Sequence, residues 1–221
     1  MLKVNEIFET IQGEGVFTGV PSVFLRLQGC PVGCAWCDTK HTWEVNLDQQ
    51  TSLESIRDKR TESDSWCQVP TGTIVEECQQ RYTAKHVVIT GGEPCIYDLR
   101  EITARFEKSG FTCQIETSGT FDVVTSDRTW VTVSPKLDMK GGLDIKAQAM
   151  SRANEIKYPV GTQKDIDNLE ALLQEFDVRQ DVIVGLQPIS QRRRATELCI
   201  ESCIKNNWRL SVQTHKYLQI A

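Results

Sequence analysis

Three cysteines in one short loop are the residues of this chain best placed to do metal chemistry. Cys30, Cys34 and Cys37 are spaced as C-x3-C-x2-C, so their thiols can converge on one metal centre. A structural zinc site takes four nitrogen or sulfur ligands, whereas an iron–sulfur cluster held by three thiolates leaves one iron open to another ligand. The spacing therefore indicates a cluster with an open coordination position, where chemistry can take place.

Two other uses of these thiols remain open from the spacing alone. A zinc ribbon would need a fourth ligand elsewhere, for which the candidates are Cys67, Cys78, Cys95, Cys113, His41, His86 and His215. Zinc ribbons usually carry a second C-x-x-C pair, which this sequence lacks. Disulfides are disfavoured because the cysteines number 9, an odd count, and the first residues do not resemble a signal peptide. Cys78, Cys199 and Cys203 lie on the apolar sides of helical patterns and are expected in the core.

The composition predicts one domain of moderate size, spanning residues 1–221. Apolar residues make up 39% and charged residues 25%, and no apolar run is long enough for a membrane span, so we expect a cytoplasmic protein. The net charge of -5 argues against direct nucleic-acid binding and favours a small-molecule substrate. The one basic run, Arg192-Arg193-Arg194, is interpreted as a solvated helix start, with an anion or electron-donor patch as the alternative.

Short β-rich runs that alternate with amphipathic helical stretches must position these thiols. Strands are predicted at residues 23–28, 86–90, 113–117, 130–134, 155–158, 182–187 and 209–213. Helical spacing links Leu99, Ile102 and Phe106, and two further sets follow at 166–176 and 195–203. This alternation predicts an α/β fold with parallel strands and right-handed crossovers. About six βα units are too few for a complete barrel, so an incomplete barrel fits the count.

Residues 43–72 break this rhythm and are interpreted as an insertion beside the cysteine loop. Its middle, residues 51–57, predicts a short helix, and a polar, turn-prone stretch follows. The insertion is either a surface elaboration or a lid or docking surface, and the sequence does not choose between them.

Polar motifs follow several predicted strands at their carboxyl ends, where barrels and open sheets place their active sites. Gly91-Gly92-Glu93-Pro94 ends a buried strand with two glycines that allow close backbone approach to a ligand. Ser134-Pro135-Lys136 and Gln187-Pro188-Ile189-Ser190 end two others, so their polar groups could bind a ribose, an adenine or a carboxylate on the same rim. Plain turns and strand stops are the alternatives.

Two charged residues precede the cysteine loop. Glu14, within Gln12-Gly13-Glu14-Gly15, could accept hydrogen bonds from a guanidine-like edge, and Arg26 could clamp a carboxylate with two parallel bonds. Without further context, both would be surface charges.

The cysteine loop, with the aromatic Trp36 before its last cysteine, resembles the cluster loop of the radical S-adenosylmethionine superfamily. The resemblance implies an incomplete-barrel fold, a 4Fe-4S cluster on Cys30, Cys34 and Cys37, and S-adenosylmethionine chelating the fourth iron. Reductive cleavage of that cofactor would give a 5'-deoxyadenosyl radical. The Gly91-Gly92-Glu93-Pro94 motif resembles the one whose backbone binds the methionyl amino group.

Within the superfamily, the chain resembles the branch that contracts a carboxypterin to a 7-deazaguanine. The resemblance covers nearly the whole chain outside the insertion, which is similar to a longer form of the enzyme, and is carried by Gln12-Gly13-Glu14-Gly15, Arg26, Cys37-Asp38-Thr39, Gly91-Gly92-Glu93-Pro94, Ser134-Pro135-Lys136, Gln187-Pro188 and Thr214-His215-Lys216-Tyr217-Leu218. It implies a carbon–nitrogen lyase that turns 6-carboxy-5,6,7,8-tetrahydropterin into 7-carboxy-7-deazaguanine with loss of ammonia, on the route to queuosine.

The same resemblance implies roles for individual residues. The pterin would contact Ile11, Gln12, Gly13, Glu14, Arg26, Thr90, His215 and the terminal Ala221. S-adenosylmethionine would contact Trp36, Asp38, Gly92, Ser134, Pro135, Lys136, Gln187, Pro188, Ile189 and Ser190. Mg²⁺ is assigned to Thr39, although carboxylate preference alone would favour Asp38. A cap or turn is the alternative for Asp38 and Thr39, and a structural role is the alternative for His215.

Partners also follow from the resemblance: a homodimer, and a flavodoxin or ferredoxin as electron donor. Two rival functions remain at this point. A glycyl-radical activating enzyme shares the cysteine loop but would need a protein-docking groove instead of pterin contacts. A zinc-stabilised binding module would hold the thiols without catalysis.

Overall fold

All strands join one mixed nine-stranded sheet in the order β3-β1-β2-β4-β5-β6-β7-β8-β9, in a computed structural model that describes residues 1–220. The strands are β1 Leu2–Ile11, β2 Pro21–Leu27, β3 Cys67–Val69, β4 His86–Gly91, β5 Thr112–Thr117, β6 Trp130–Val133, β7 Glu155–Val160, β8 Ile183–Pro188 and β9 Arg209–Leu210. The helices are α1 Leu53–Arg57, α2 Thr71–Arg81, α3 Arg100–Lys108, α4 Ala147–Arg152, α5 Gln163–Glu175, α6 Arg193–Asn206 and α7 Thr214–Leu218. Short 3-10 turns connect several of them.

The seven predicted strands are all present, and they pair in parallel from β2 through β4 to β9. The prediction for the last strand was too long, because β9 ends at Leu210. The predicted alternation of strands and helices has one gap. Residues 118–129, which connect β5 to β6, contain no helix in the described chain.

Two strands were not predicted, and both are antiparallel additions to the edge of the sheet. β1 pairs with β2, and β3 pairs with β1. The apolar alternation of β1 is interrupted by an irregularity between Val4 and Glu6, where the polar Asn5 is fully buried. This interruption hides the strand from a reading of alternation alone.

The two faces of the parallel sheet differ in chemistry. One face is apolar and is packed in the core, where Leu25, Ile89, Ile115 and Ile156 are fully buried. The opposite face alternates with it and carries polar side chains at the same strands, a pattern unlike the fully apolar strands of most parallel sheets. A sheet face lined by polar groups can form the wall of a ligand cavity.

Residues 43–72, the predicted insertion, are partly built into the sheet. The predicted short helix is α1, whereas β3 extends the main sheet and the last positions already belong to α2. Trp66 is 1% exposed and donates its indole N–H to the Asn46 carbonyl at 2.8 Å. Lys59 Nζ donates to both the carbonyl and the side chain of Asn5. These contacts fasten the segment to β1.

Two segments that lie near opposite ends of the chain meet over the polar face. The Thr214 amide donates to the Gly13 carbonyl at 2.8 Å, and the Gly15 amide donates to Ser211 Oγ at 3.1 Å. Residues 12–15 and 211–215 therefore connect opposite sides of the sheet and bound one side of the cavity described below.

The basic run lies at the start of α6, as predicted. Arg193 is solvent-exposed and pairs with Glu197 one turn later at 2.8 Å, which is typical of a solvated helix surface. No helix within residues 1–220 has both the length and the apolar character that a bilayer crossing requires.

Candidate functional site

A cavity of about 1110 Å³ lies on the polar face, at the carboxyl ends of the parallel strands. It brings together nearly all of the predicted site residues within the described chain: Ile11, Gln12, Gly13, Glu14, Arg26, Cys30, Cys34, Trp36, Cys37, Asp38, Thr39, Thr90, Gly92, Ser134, Lys136, Gln187, Pro188, Ile189, Ser190 and His215. Pro135 is buried and does not belong to this lining. Ala221 lies outside the described residues.

Backbone geometry around the cysteine loop depends on glycine. Gly33, between the first two cysteines, has φ of 73°, a left-handed conformation that favours glycine. The loop is held from two sides, because the Cys30 amide donates to the Trp43 carbonyl at 3.0 Å and the Gly141 amide donates to the Val32 carbonyl at 2.9 Å. A side chain at Gly141 would place its Cβ 2.0 Å from the Pro31 carbonyl oxygen, so glycine permits this close contact.

The Cys37 sulfur is surrounded by hydrogen-bond donors. The Trp43 indole N–H and the Thr39 amide each donate to Sγ at 3.4 Å. Donors of this kind favour a thiolate and tune the potential of an iron–sulfur cluster. Burial raises the pKa of Cys30 to about 11, so metal binding has to displace a proton from that thiol.

The three thiols are not grouped around one ion position. Among residues 1–220, no three Cys, His, Asp or Glu side chains surround one ion position. A 4Fe-4S cluster does not require such a grouping, since each thiolate binds a different iron.

The Gly91-Gly92-Glu93-Pro94 motif is a tightly packed turn at the end of β4. A Cβ on Gly92 would lie 2.2 Å from the Gly29 carbonyl oxygen, so only glycine allows the turn to touch the segment that leads into the cysteine loop. Glu93 is 1% exposed, and its carboxylate accepts from the Cys95 amide, Thr117 Oγ1, and both the amide and hydroxyl of Ser118. Glu93 therefore fixes the turn against β5.

The ends of β6 and β8 present a cation without an ion-pair partner and a carbonyl without a hydrogen bond within the described residues. Lys136 Nζ is hydrogen-bonded to Ser134 Oγ at 2.6 Å and has no carboxylate partner in residues 1–220. Burial lowers the pKa of Lys136. Gln187 Oε1 is buried without a hydrogen bond in the same part of the chain, and Ser190 follows it with φ of 52°. An unpaired cation and an unpaired carbonyl in one cavity favour a ligand with a carboxylate and N–H groups.

Arg26 lies on the opposite side of the cavity, where its position in β2 is level with Thr90 in β4. Its Nε donates to Glu6 Oε2 at 2.6 Å, and its guanidinium lies 5.7 Å from the centre of the Phe8 ring. This anchoring through Nε leaves the two terminal nitrogens for a planar anion such as a carboxylate.

A largely buried group of three charged side chains, Glu14, Lys157 and Glu116, also lines the cavity. Lys157 Nζ donates to Glu14 Oε2 at 2.6 Å and to Glu116 Oε2 at 2.8 Å. Gln213 Nε2 donates to the other oxygen of Glu14 at 2.7 Å. Burial alone would raise the pKa of Glu14, but Lys157 and Gln213 lower it to about 2.

Glu116 behaves in the opposite way to Glu14. Burial, together with the negative charges of Glu14 and Glu155, outweighs Lys157 and raises the pKa of Glu116 to about 7. Burial alone would lower the pKa of Lys157, but its two carboxylate partners raise it. The pair of carboxylates thus has one member that is always charged and one that can exchange a proton near neutral pH.

Glu116 and Lys157 were not predicted as site residues. Each lies inside a buried parallel strand, in Gln114-Ile115-Glu116-Thr117 and Glu155-Ile156-Lys157-Tyr158. A charged residue inside such a strand needs a buried partner, and this is the signal that could have identified them.

The remaining predicted residues occupy the rim and one end of the cavity. Asp38 is exposed, and Lys216 Nζ donates to its Oδ2 at 3.4 Å. Thr39 Oγ1 donates to the Gly91 carbonyl at 3.3 Å. His215 packs on the backbone of Gly13. A Cβ added to Gly13 would lie 2.4 Å from Nδ1 of His215.

Comparison with known proteins adds independent information. Residues 11–130 match the family model described as a 4Fe-4S single cluster domain. The 7-carboxy-7-deazaguanine synthase of Escherichia coli (strain K12) is 59% identical over 219 residues, which cover 99% of this chain and 98% of that protein. The synthase of the same name from Flavobacterium psychrophilum is 35% identical over 222 residues, covering 100% and 93%.

A solved structure has the same fold. The crystal structure of QueE from Escherichia coli aligns with a TM-score of 0.94 at 58% sequence identity, covering 97% of this chain and 94% of that chain. The alignment therefore covers nearly the whole chain.

Proposed function

The chain belongs to the 7-carboxy-7-deazaguanine synthase family, and from this premise we propose how its cavity converts 6-carboxy-5,6,7,8-tetrahydropterin to 7-carboxy-7-deazaguanine with loss of ammonia. It is a radical S-adenosylmethionine enzyme of queuosine biosynthesis with a 4Fe-4S cluster. The observation that carries the proposal for the site is that the three loop thiols, Arg26 and Glu14 all face one cavity.

Cys30, Cys34 and Cys37 would hold the 4Fe-4S cluster. The donor set fits, because the residues are all thiols and the Cys37 sulfur already accepts two N–H groups. When bound, the cluster and S-adenosylmethionine together supply a 5'-deoxyadenosyl radical that takes a hydrogen atom from the substrate. The protein's part is to orient both ligands and to exclude water.

S-adenosylmethionine would lie along the ends of β4, β6 and β8. Lys136 Nζ has no carboxylate partner in residues 1–220, which fits the methionyl carboxylate, and the unpaired Gln187 Oε1 fits an N–H of the adenine. The assignment also includes Trp36, Asp38, Gly92, Ser134, Pro135, Pro188, Ile189 and Ser190. Pro135 would act by shaping the turn, since it is buried behind the lining.

The pterin would occupy the side bounded by β2 and residues 11–15. Glu14 stays charged at neutral pH and can accept hydrogen bonds from the guanidine-like edge of the ring. The terminal nitrogens of Arg26 can hold the substrate carboxylate, with Thr90 beside it. The backbone of Ile11, Gln12 and Gly13, together with His215 and Ala221, completes this assignment.

Mg²⁺ would bind at Thr39, with substrate oxygens and water as further ligands. Two observations support Thr39 over Asp38: Thr39 is partly buried beside Cys37, whereas Asp38 is exposed and paired with Lys216. A site with one protein oxygen is in keeping with the preference of Mg²⁺ for retaining water and binding ligand oxygens.

Several features of the whole protein are part of the same proposal. The sheet is an incomplete barrel in a single domain, which is supported by the hydrogen bonds between residues 12–15 and 211–215 across the polar face. The nine cysteines are all free thiols, which supports a cytoplasmic enzyme. A flavodoxin or ferredoxin donates the electron, and the active form is a homodimer.

An anaerobic assay tests the reaction. Reconstituted protein is incubated with dithionite, S-adenosylmethionine, Mg²⁺ and the carboxytetrahydropterin, and 7-carboxy-7-deazaguanine and 5'-deoxyadenosine are followed by mass spectrometry. Formation of the deazaguanine supports the proposal. 5'-Deoxyadenosine without it would favour a different substrate, such as the peptide of a glycyl-radical activating enzyme, and zinc without iron would favour a binding module.

A further inference from the structure

The buried group Glu14–Lys157–Glu116 has one positive charge for two carboxylates. Every oxygen in it has a fixed donor: Gln213 and Lys157 bind Glu14, and Lys157 and Gln114 bind Glu116. The Gln114 bond to Glu116 Oε1 measures 2.9 Å. Such a group costs more free energy to bury than apolar side chains of the same size. A chemical role in the cavity that it lines would account for that cost.

Loss of ammonia, which belongs to the proposed function on which this inference rests, requires proton transfer. A ring carbon gives up a proton, and the electron pair of its C–H bond becomes a new double bond. The C–N bond breaks with its electron pair going to nitrogen, which takes up a proton and leaves as ammonia. One proton is removed and one is supplied, so no external oxidant or reductant is needed. A single side chain that accepts and then returns a proton would suffice.

We propose that Glu116 is the catalytic residue that removes the ring proton and supplies the proton for ammonia loss, and that Lys157 is the residue that positions it. Glu116 lines the cavity near the end of β5, together with Lys136, which is assigned to S-adenosylmethionine, and Glu14, which is assigned to the pterin. Lys157 fixes Glu116 Oε2 from β7, two strands away in the sheet, and Gln114 on β5 fixes Oε1.

The charges around Glu116 separate its role from that of Glu14. The groups that face it are Lys157 and Glu155 on β7, Glu14 after β1, and Lys136 after β6. They leave the pKa of Glu116 at about 7 and that of Glu14 at about 2. A proton-transfer group works best with a pKa near the working pH, whereas a permanent anion is suited to hold the guanidine-like edge.

The test replaces Glu116 by an amide of the same shape, Glu116→Gln, in the reconstituted holoenzyme. The substrate carries deuterium at the position that loses its hydrogen atom, and label transfer to S-adenosylmethionine is measured beside 7-carboxy-7-deazaguanine and ammonia. We expect product to fall by about 100-fold or more, while label transfer and the substrate KM change by less than about threefold. Product within about fivefold of wild type overturns the proposal, as does a parallel loss of label transfer and product.

Glu107→Gln is the matched control. Glu107 is also a hydrogen-bonded carboxylate, bound by Ser126 and Thr129, and it does not line the cavity. Its product formation should equal that of wild type. Failure of wild type itself to make the deazaguanine would overturn the proposed function, and is thereby distinguished from a failure at Glu116 alone.

The pH profile tests the same proposal without a substitution at Glu116. The base must be ionised, so wild-type kcat should rise as the pH increases through about 7 and then level off, while label transfer stays flat. Lys157→Met removes the nearest cation and should move this rise to higher pH, whereas Lys157→Arg should restore the wild-type midpoint. A wild-type kcat without this rise, or a midpoint that Lys157→Met leaves unmoved, overturns the assignment.

Discussion

The indole N–H of Trp43 donates to the sulfur of Cys37 at 3.4 Å, so a residue beyond the cysteine loop takes part in the cluster environment. The Trp43 carbonyl also accepts from the Cys30 amide at 3.0 Å. One residue therefore holds both ends of the C-x3-C-x2-C loop. Trp43 stands at the start of the predicted insertion, where no sequence motif indicated such a role.

Substituting Trp43→Phe should make the cluster harder to reduce. The change removes a hydrogen bond to the Cys37 thiolate but leaves the carbonyl contact to Cys30, so the cluster should assemble at a more negative reduction potential. Loss of one such outer contact predicts roughly a 10-fold lower turnover with a weak reductant. Redox titration followed by electron paramagnetic resonance measures the potential directly. Trp130→Phe is the control, because the Trp130 indole N–H has no hydrogen-bond partner within residues 1–220.

Replacing Cys30, Cys34 or Cys37 by Ala should remove the cluster and all activity. Each thiolate binds its own iron, so no other loop sulfur can substitute. Iron and sulfide analysis after anaerobic reconstitution gives the answer, and a fully active single variant would refute the ligand assignment. Cys199→Ala is the comparison, since Cys199 is fully buried in the core away from the cavity and should retain normal iron content.

The parts of this protein that sequence reasoning could predict are those encoded locally. The seven parallel strands follow from short apolar runs, and the cysteine loop and Gly91-Gly92 turn follow from residue types at fixed spacing. Because parallel strands align their carboxyl ends, motifs placed after different strands meet in one cavity. Placement at the carboxyl end of a strand was therefore enough to bring Ser134 and Gln187 to the same site.

The parts that could not be predicted depend on register and on partners far along the chain. Lys157 and Glu116 are 41 positions apart, and Lys157 and Glu14 are 143 apart. No local pattern states which buried charge will pair with which. β3 was missed for a related reason, because its three residues form a strand only where β1 supplies the hydrogen bonds.

Thr39→Ala should raise the Mg²⁺ concentration needed for full turnover. The substitution removes the one side-chain oxygen assigned to the ion but leaves the backbone N–H bond to Cys37 intact. Turnover measured against Mg²⁺ after chelation should show at least about a 10-fold higher half-saturation, with unchanged iron content. Thr39→Ser keeps the hydroxyl and should behave as wild type. An identical Mg²⁺ response of the Ala variant would remove Thr39 from the site.

Gly92→Ala should abolish cofactor binding. Its Cβ would lie 2.2 Å from the backbone oxygen of Gly29, and neither backbone can move without displacing the cysteine loop. Binding of S-adenosylmethionine by calorimetry should fall below detection.

Gly72→Ala is the opposite case. Gly72 lies in helix α2, and an added Cβ would come no closer than 3.8 Å to Arg105 Nη1. The free energy of unfolding should therefore rise by roughly 0.5 kcal/mol. If both variants bound S-adenosylmethionine as tightly as wild type, the packing argument for Gly92 would be contradicted.

Arg26→Lys tests whether the geometry of the guanidinium matters beyond its charge. Arg26 is anchored through Nε to Glu6, so its two terminal nitrogens keep a fixed orientation toward the cavity. Lysine retains the charge but cannot make both the anchoring bond and two parallel bonds to a carboxylate. A lost charge-assisted hydrogen bond costs about 1.5–3 kcal/mol, so kcat/KM should fall by roughly 10- to 100-fold.

The fall should appear chiefly in KM, because the carboxylate assigned to Arg26 does not change during the proposed reaction. Arg105→Lys provides the matched comparison: its ion pair with Glu101 is exposed, and exposed pairs contribute little. Steady-state kinetics with the carboxypterin therefore separates two explanations. An Arg26→Lys enzyme with wild-type KM would mean that charge alone holds the substrate, and the carboxylate would then have to be recognised elsewhere in the cavity.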